Sequence, residues 1–247
     1  MTPPRAPVLD ADGFDVRVGP RVLLRGLRMQ VERGQRWALL GRNGAGKSTL
    51  LRAFAGLDGA GQGLRLNGDP LTRLGPRELA RRRAYMHAQA RDRFGLGVLH
   101  AVMLAQPEPD APAARAILDA CDCAALEGRS VLQISAGERQ RVALAQVLAQ
   151  GVELLLLDEP ASFQDPGHQG TVSRLLAARS DQAMVFAAHD VNWVAGLATH
   201  VLAFEPDGAY SAGPSESLLQ ADVLARVYGC RWERVPRSAG GAVWMPS

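Results

Sequence analysis

Residues 41–49 read GRNGAGKST, a full G-x-x-x-x-G-K-[ST] match, and such residues together can hold a chain of phosphates. Gly44 and Gly46 free the backbone to turn tightly, so that successive N–H groups point inward at phosphate oxygens. A helix that follows adds its positive N-terminal end. Lys47 supplies a compact ammonium to the β- and γ-phosphates, where a planar guanidinium would be too bulky, and the Ser48 hydroxyl can ligate Mg2+. Gly41, Arg42, Asn43, Ala45 and Thr49 complete the candidate loop. A second set lies far along the chain, where Leu154 to Leu157 run into Asp158-Glu159-Pro160. Acids that end a strand are commonly just solvated. Beside a phosphate loop they acquire separate tasks, Asp158 on the metal and Glu159 on the attacking water.

Two further segments could take part. Ile134 to Val142 read ISAGERQRV, in which Ser135 is a good N-cap and Glu138, three residues on, completes a capping box. Helix capping is a sufficient account of them from composition alone. His189 follows the apolar run Met184 to Ala188, and a lone histidine is more often structural than catalytic. The same structural reading applies to His87, His100, His168 and His200. Cys121, Cys123 and Cys230 are too few and too poorly spaced for a disulfide framework or a four-ligand zinc site. A reducing cytosol fits them best.

The elements that must position these residues are visible as periodicities. Trp37 to Leu40 is a short apolar run ending at Gly41, and after the loop Leu50, Leu51, Phe54 and Ala55 fall at helical spacing, giving strand, loop, helix. Val152 to Leu157 and Met184 to Ala188 are short apolar runs of the kind that form buried parallel strands. Upstream, Leu27, Met29 and Val31 alternate with polar residues, and Val16 and Val18 mark another strand, so the start of the chain is expected to be antiparallel β. Between about Pro76 and Gly151 the pattern turns helical, clearest over Ala113–Ala125 and Glu138–Gln150, with Pro107, Pro109 and Pro112 as breaks. Residues 237–247 are expected to be a loose tail after a single domain over 1–236.

Composition sets the bounds. The chain has 247 residues, 47% of them hydrophobic and 21% charged, which is ordinary globular composition able to bury a sizeable core. Its 28 basic residues are 27 arginines and one lysine, Lys47, an imbalance that a GC-rich genome would produce without any arginine-specific function. A net charge of +3 does not by itself predict a nucleic-acid partner. No signal-peptide pattern opens the chain, and no run of about 18 apolar residues could span a bilayer, so a membrane role is expected only through a partner.

Over about residues 14 to 229, these elements in this order resemble the nucleotide-binding subunit of ABC transporters. ISAGE at Ile134 to Glu138 is similar to the family's LSGGE signature, Asp158-Glu159-Pro160 to its second nucleotide motif, Ser162 to Asp165 to its D-loop and His189 to its switch histidine. The resemblance implies an α/β fold: a P-loop NTPase core with a mixed sheet, an N-terminal antiparallel β-subdomain and an α-helical insertion at about 76–150. It also implies an ATPase using ATP and Mg2+, working as a homodimer in which Ser135, Ala136, Gly137 and Glu138 of one subunit face the phosphates held by the other. Glu159, His189 and Lys47 would be catalytic, and Asp165 would belong to the D-loop.

Three departures stand out. Ala136 replaces the first signature glycine. The family's coupling glutamine, which follows the strand read here over Arg83 to Met86, falls at Ala88 or at Gln89. The aromatic that stacks on adenine in many relatives falls at Val18, leaving either no stack or Phe14 in its place. Leu224 to Gly229, Asp165 to Gln169 and Arg81 to Tyr85 are similar to importer ATPases for vitamin B12, iron-siderophore complexes and heme, with a lean to cobalamin. Partners so implied are two polytopic membrane subunits and a periplasmic binding protein, at the cytoplasmic face of the inner membrane, with Arg91 and Arg93 as candidate contacts. No nucleic acid is expected. The competing readings are a soluble ABC-type ATPase acting on nucleic acid or in protein-complex assembly, and a simple P-loop kinase or GTPase.

Overall fold

The computed structural model describes residues 6–58, 61–89, 94–237 and 242–247. The chain opens with a hairpin of β1 (Leu9–Val18) and β2 (Arg21–Val31), followed by β3 (Arg36–Leu40) and α1 (Lys47–Phe54). Short strands β4 (Leu64–Leu66) and β5 (Asp69–Pro70) lead to α2 (Pro76–Arg82) and β6 (Arg83–Met86). Helices α3 (Val98–Met103), α4 (Ala111–Ala120) and α5 (Ala136–Ala149) come next. The second half alternates β7 (Leu154–Asp158), α6 (Pro166–Ala177), β8 (Ala183–Ala187), α7 (Val191–Leu197), β9 (His200–Phe204) and β10 (Tyr210–Pro214). It closes with α8 (Ser215–Leu218), α9 (Ala221–Tyr228), β11 (Trp232–Pro236) and β12 (Ala242–Pro246).

Six strands form a mixed sheet in the order β10-β9-β3-β8-β7-β6, parallel except for β10. A separate antiparallel sheet, β2-β1-β4-β5, packs over one face. The central strands are buried on both faces, which is why they read as unbroken apolar runs rather than as alternations. Leu154 and Leu156 face the core shared with α1 and the antiparallel sheet, whereas Leu155 and Leu157 face the core shared with the helices. Register then fixes the site. Leu39 of β3 and Asp158 of β7 both pair with Ala187 of β8, so the carboxyl ends of three strands finish side by side. Ligands of open α/β sheets bind at such an edge.

The α/β class, the mixed sheet and the antiparallel N-terminal sheet agree with expectation. Three details differ. The strand expected over Arg83 to Met86 is present as β6, but it pairs with β7 in the main sheet, so the helical lobe proper begins beyond it and not at Pro76. The helix expected over Ala113–Ala125 starts at Ala111, capped by the Asp110 side chain, and ends at Ala120, before a turn in which Asp122 adopts a φ of 53°. The tail expected to be loose instead carries β12, paired antiparallel with β11. Trp244 anchors it. Its N–H donates to Asn192 Oδ1 at 2.7 Å, its carbonyl accepts from Asn192 Nδ2 at 3.0 Å, and the side chain is buried against α7.

Candidate active site

The loop after β3 turns into α1 at Gly46, whose φ of 108° only glycine adopts without strain. A Cβ there would also stand 2.8 Å from Leu23 Cδ1, so the loop closes against the β1–β2 hairpin through this residue. Lys47 is buried, and its ammonium donates to the carbonyls of Gly41 at 2.7 Å and Arg42 at 3.3 Å across the loop. Burial pulls its pKa down, opposed by the charges of Glu159 and Asp158. A cavity of about 450 Å3 opens here, lined by Asn43 to Thr49, Glu159, His189, Val18 and Leu23.

Asp158 ends β7 almost fully buried. Burial raises its pKa, while a hydrogen bond with Ser48 and the nearby Lys47 charge oppose that. Its Oδ1 is buried without a hydrogen-bond partner, a costly arrangement for a carboxylate oxygen unless a cation completes it. An unsatisfied carboxylate oxygen beside a serine hydroxyl is an oxygen donor set suited to Mg2+, which also draws ligands from water and substrate phosphates. Among the described residues no group of three or more His, Cys, Asp or Glu could hold a metal ion.

Glu159 sits one residue beyond the strand with a φ of 57°, a left-handed conformation that costs a non-glycine residue on the order of 1–3 kcal/mol. The surroundings enforce it. Its N–H donates to Ala187 O at 3.1 Å, and its carbonyl accepts from Gln140 Nε2 at 2.9 Å. The carboxylate is held at both oxygens, Oε2 by the Ser162 hydroxyl and Oε1 by His189 Nε2 at 2.6 Å. A carboxylate so oriented at the mouth of a phosphate loop can take a proton from water, and the half-exposed imidazole beside it can donate to a phosphate oxygen.

The signature segment lies on the other side of Glu159. Ser135 caps α5, accepting from Glu138 N at 3.3 Å while Glu138 Oε2 accepts from Ser135 N at 2.7 Å. Ala136 occupies the first helical position without a positive φ, so the methyl in place of hydrogen meets no backbone conflict. Gly137 is different: a Cβ there would lie 2.7 Å from Phe163 O, so glycine admits the D-loop against α5. Asp165 caps α6, accepting from His168 N at 3.0 Å and contacting His168 Nδ1 at 2.8 Å.

Gln89 does not line the loop cavity; it lines a second one of about 380 Å3 with Ala136, Arg139, Gln140 and Phe163. Arg91 and Arg93 lie outside the described residues. Phe14 is buried in the core under the antiparallel sheet, so it does not substitute for Val18, which faces the cavity at 54% exposure. Cys121 and Cys123 are buried thiols whose pKa values burial pushes up to about 12 and about 11, consistent with structural roles. Sequence reasoning missed Gln140 and Ser162 as supports of Glu159. Gln140 had a readable signal, a polar residue on the core stripe that continues through Leu144 and Val147.

A glycine loop entering a helix after a central parallel strand, with two carboxylates at the end of β7, defines a P-loop nucleoside triphosphatase. The chain belongs to the ABC transporter family, whose profile matches residues 24–162. It is similar to the "Hemin import ATP-binding protein HmuV" of Rhodococcus jostii, 37% identical over 98% of this chain and 88% of that one. The protein of the same name from Nocardia farcinica is 40% identical over 85% of this chain and 77% of that one. In fold it matches an inward-facing metal-chelate type ABC transporter with a TM-score of 0.81, at 22% identity and 97% coverage of both chains.

Proposed function

We propose that this chain binds and hydrolyses ATP to drive import of hemin, at the cytoplasmic face of the inner membrane. Two copies would work with two polytopic membrane subunits and a periplasmic binding protein. The observation that carries the catalytic part is the Glu159 carboxylate, held by Ser162 and His189 in the loop cavity beside Lys47. The loop N–H groups and Lys47 bind the phosphates, Glu159 orients and deprotonates the attacking water, and His189 donates to the γ-phosphate as charge develops. Ser48 and Asp158 would hold Mg2+, which would supply positive charge to offset that of the phosphates. Ser135 and Gly137 would reach the phosphates bound by the second copy.

The cargo reading rests on the hemin import proteins to which the chain is similar over most of its length, and they favour hemin over the cobalamin toward which the motifs lean. Among the described residues no helix is long and apolar enough to cross a membrane, so contact with the bilayer would run through partners. A surface for them is available. Phe94, Leu96 and Leu132 are exposed at 75%, 43% and 51% on one face of the helical lobe, brought together by the Val131 N–H donating to Leu96 O at 2.9 Å. The test is phosphate release by the complex with its membrane subunits in liposomes carrying the binding protein. Hemin is expected to stimulate release severalfold while cobalamin does not; stimulation by cobalamin alone would overturn the cargo.

A further inference from the structure

A larger cavity adjoins the loop cavity. It encloses about 660 Å3 and shares Leu23, Asn43, Gly44 and Ala45 with its neighbour. Its charged lining comes from three parts of the chain: Arg21 and Arg25 on β2, Arg42 in the loop, and Glu205 and Asp207 between β9 and β10. Glu205 is already neutralised, since its Oε2 stands 3.4 Å from Arg226 Nε and its Oε1 accepts from the Ser211 hydroxyl. The three arginines are not. None of them forms an ion pair or a side-chain hydrogen bond among the described residues, although Asp207 lines the same cavity. A Cβ at Gly208 would lie 3.6 Å from Arg25 Cγ, so Arg25 runs across the β9–β10 turn. One at Gly229 would lie 3.8 Å from Arg42 Nη1, so Arg42 reaches the carboxyl end of α9, where the helix dipole favours a cation. Solvation suffices for any one of these exposed side chains. Three around a single cavity repel one another, and an anion between them relieves that.

We infer that this cavity binds a phosphate monoester that carries hydroxyl groups, at a site beside and separate from the one proposed for ATP. With Glu205 offset by Arg226, three guanidiniums face the single charge of Asp207, and the surplus suits a dianion. A phosphate monoester carries about −1.5 to −2 at neutral pH and presents three terminal oxygens, one for each guanidinium. The planar guanidinium fork matches phosphate through paired N–H groups. A lone carboxylate offers two oxygens and one charge. Asp207 and the Asn43 amide can accept from hydroxyls on the body of the ligand. Hemin, the proposed cargo, is also a dianion, but no histidine, cysteine, methionine or tyrosine lines the cavity to ligate its iron. Because the two cavities share one stretch of loop, a dianion held here opposes the triphosphate by like charge, and each ligand weakens the other by the same factor. That coupling alone rests on the reading of the loop cavity as the ATP site.

The experiment is calorimetric titration of ribose 5-phosphate, AMP and inorganic phosphate into the full chain carrying Glu159→Gln and kept in saturating ATP with Mg2+, so that the loop cavity is already filled. At least one of the two esters is expected to bind with a dissociation constant of about 1 mM or tighter, and inorganic phosphate at least about tenfold more weakly. Which ester binds tells a sugar phosphate from a nucleotide as the source. Adding Arg21→Gln together with Arg25→Gln, two exposed positions outside the loop, is expected to weaken the ester about tenfold or more, as loss of charge-assisted hydrogen bonds does. In the unsubstituted chain the ester is expected to raise KM for ATP several-fold, whereas the Arg21→Gln, Arg25→Gln chain still hydrolyses ATP and does not respond. Absence of binding by both esters overturns the inference, as does ester binding that survives the double substitution, or inorganic phosphate binding as tightly as the ester. A KM for ATP that the bound ester leaves unchanged overturns the coupling. The proposed function fails separately: if ATP itself does not bind, that reading is contradicted, and the same titration run without ATP decides the cavity on its own.

Discussion

Lys47 shows what one residue contributes and how composition exposes it. In a chain that uses arginine at every other basic position, lysine persists where an ammonium fits between two loop carbonyls in a buried setting. A guanidinium is wider, planar and unable to contract into that space. Lys47→Arg, neutral in charge, is therefore expected to lower kcat/KM for ATP by at least about 100-fold, as removal of a single well-placed charge-stabilising group does; steady-state phosphate release checks it. At this scale the motif residues could be read directly, because spacing in a P-loop is local. The supports of Glu159 could not. Gln140 is 19 positions away from it in sequence, and only the fold brings its amide to the Glu159 carbonyl.

Elements carry the precision of the site. Helix α5 begins with the Ser135–Glu138 capping box and, five residues after Ser135, Gln140 donates to the Glu159 carbonyl just beyond β7, so one helix carries the signature segment and a support of Glu159. Gln140→Ala is expected to lower kcat several-fold with little change in KM for ATP, since it positions Glu159 and touches no phosphate; a KM effect alone would contradict that role. Strand β9 gives a pH test. His200 stacks on Trp37 of β3, with ring centroids 4.7 Å apart, and burial holds its pKa below the ordinary 6.5. The unfolded chain then takes up this proton first, so the contribution is present above pH 6.5 and is lost as pH falls through the folded value. His200→Gln is expected to flatten the fall of Tm between about pH 6.5 and pH 5, a window set by the ordinary histidine pKa; thermal melts over that range decide. The sequence assigned His200 a structural role and could not supply its partner, because β9 and β3 pair only in the sheet.

At the scale of the whole molecule, alternating apolar runs and the strand, loop, helix order sufficed for the class and for the antiparallel first sheet. Two features escaped that reading for physical reasons. The boundary of the helical lobe was set too early, because β6, although read as a strand over Arg83 to Met86 from the resemblance, is a four-residue edge strand following a helix and periodicity alone does not separate it. The final hairpin was missed because its ends are anchored by one long-range clamp, Asn192 on Trp244, rather than by a local pattern. Strand order does what neither residue nor element can, since β3, β8 and β7 end in one row and so join the loop, His189 and the two acids into a single site.

The most direct test of that site is Mg2+-dependent phosphate release by Glu159→Gln measured together with its ATP binding. The carboxamide keeps the shape and loses the base, so hydrolysis is expected to fall by about 100- to 10,000-fold while ATP binding persists. Turnover by Glu159→Gln at the wild-type rate would contradict the account.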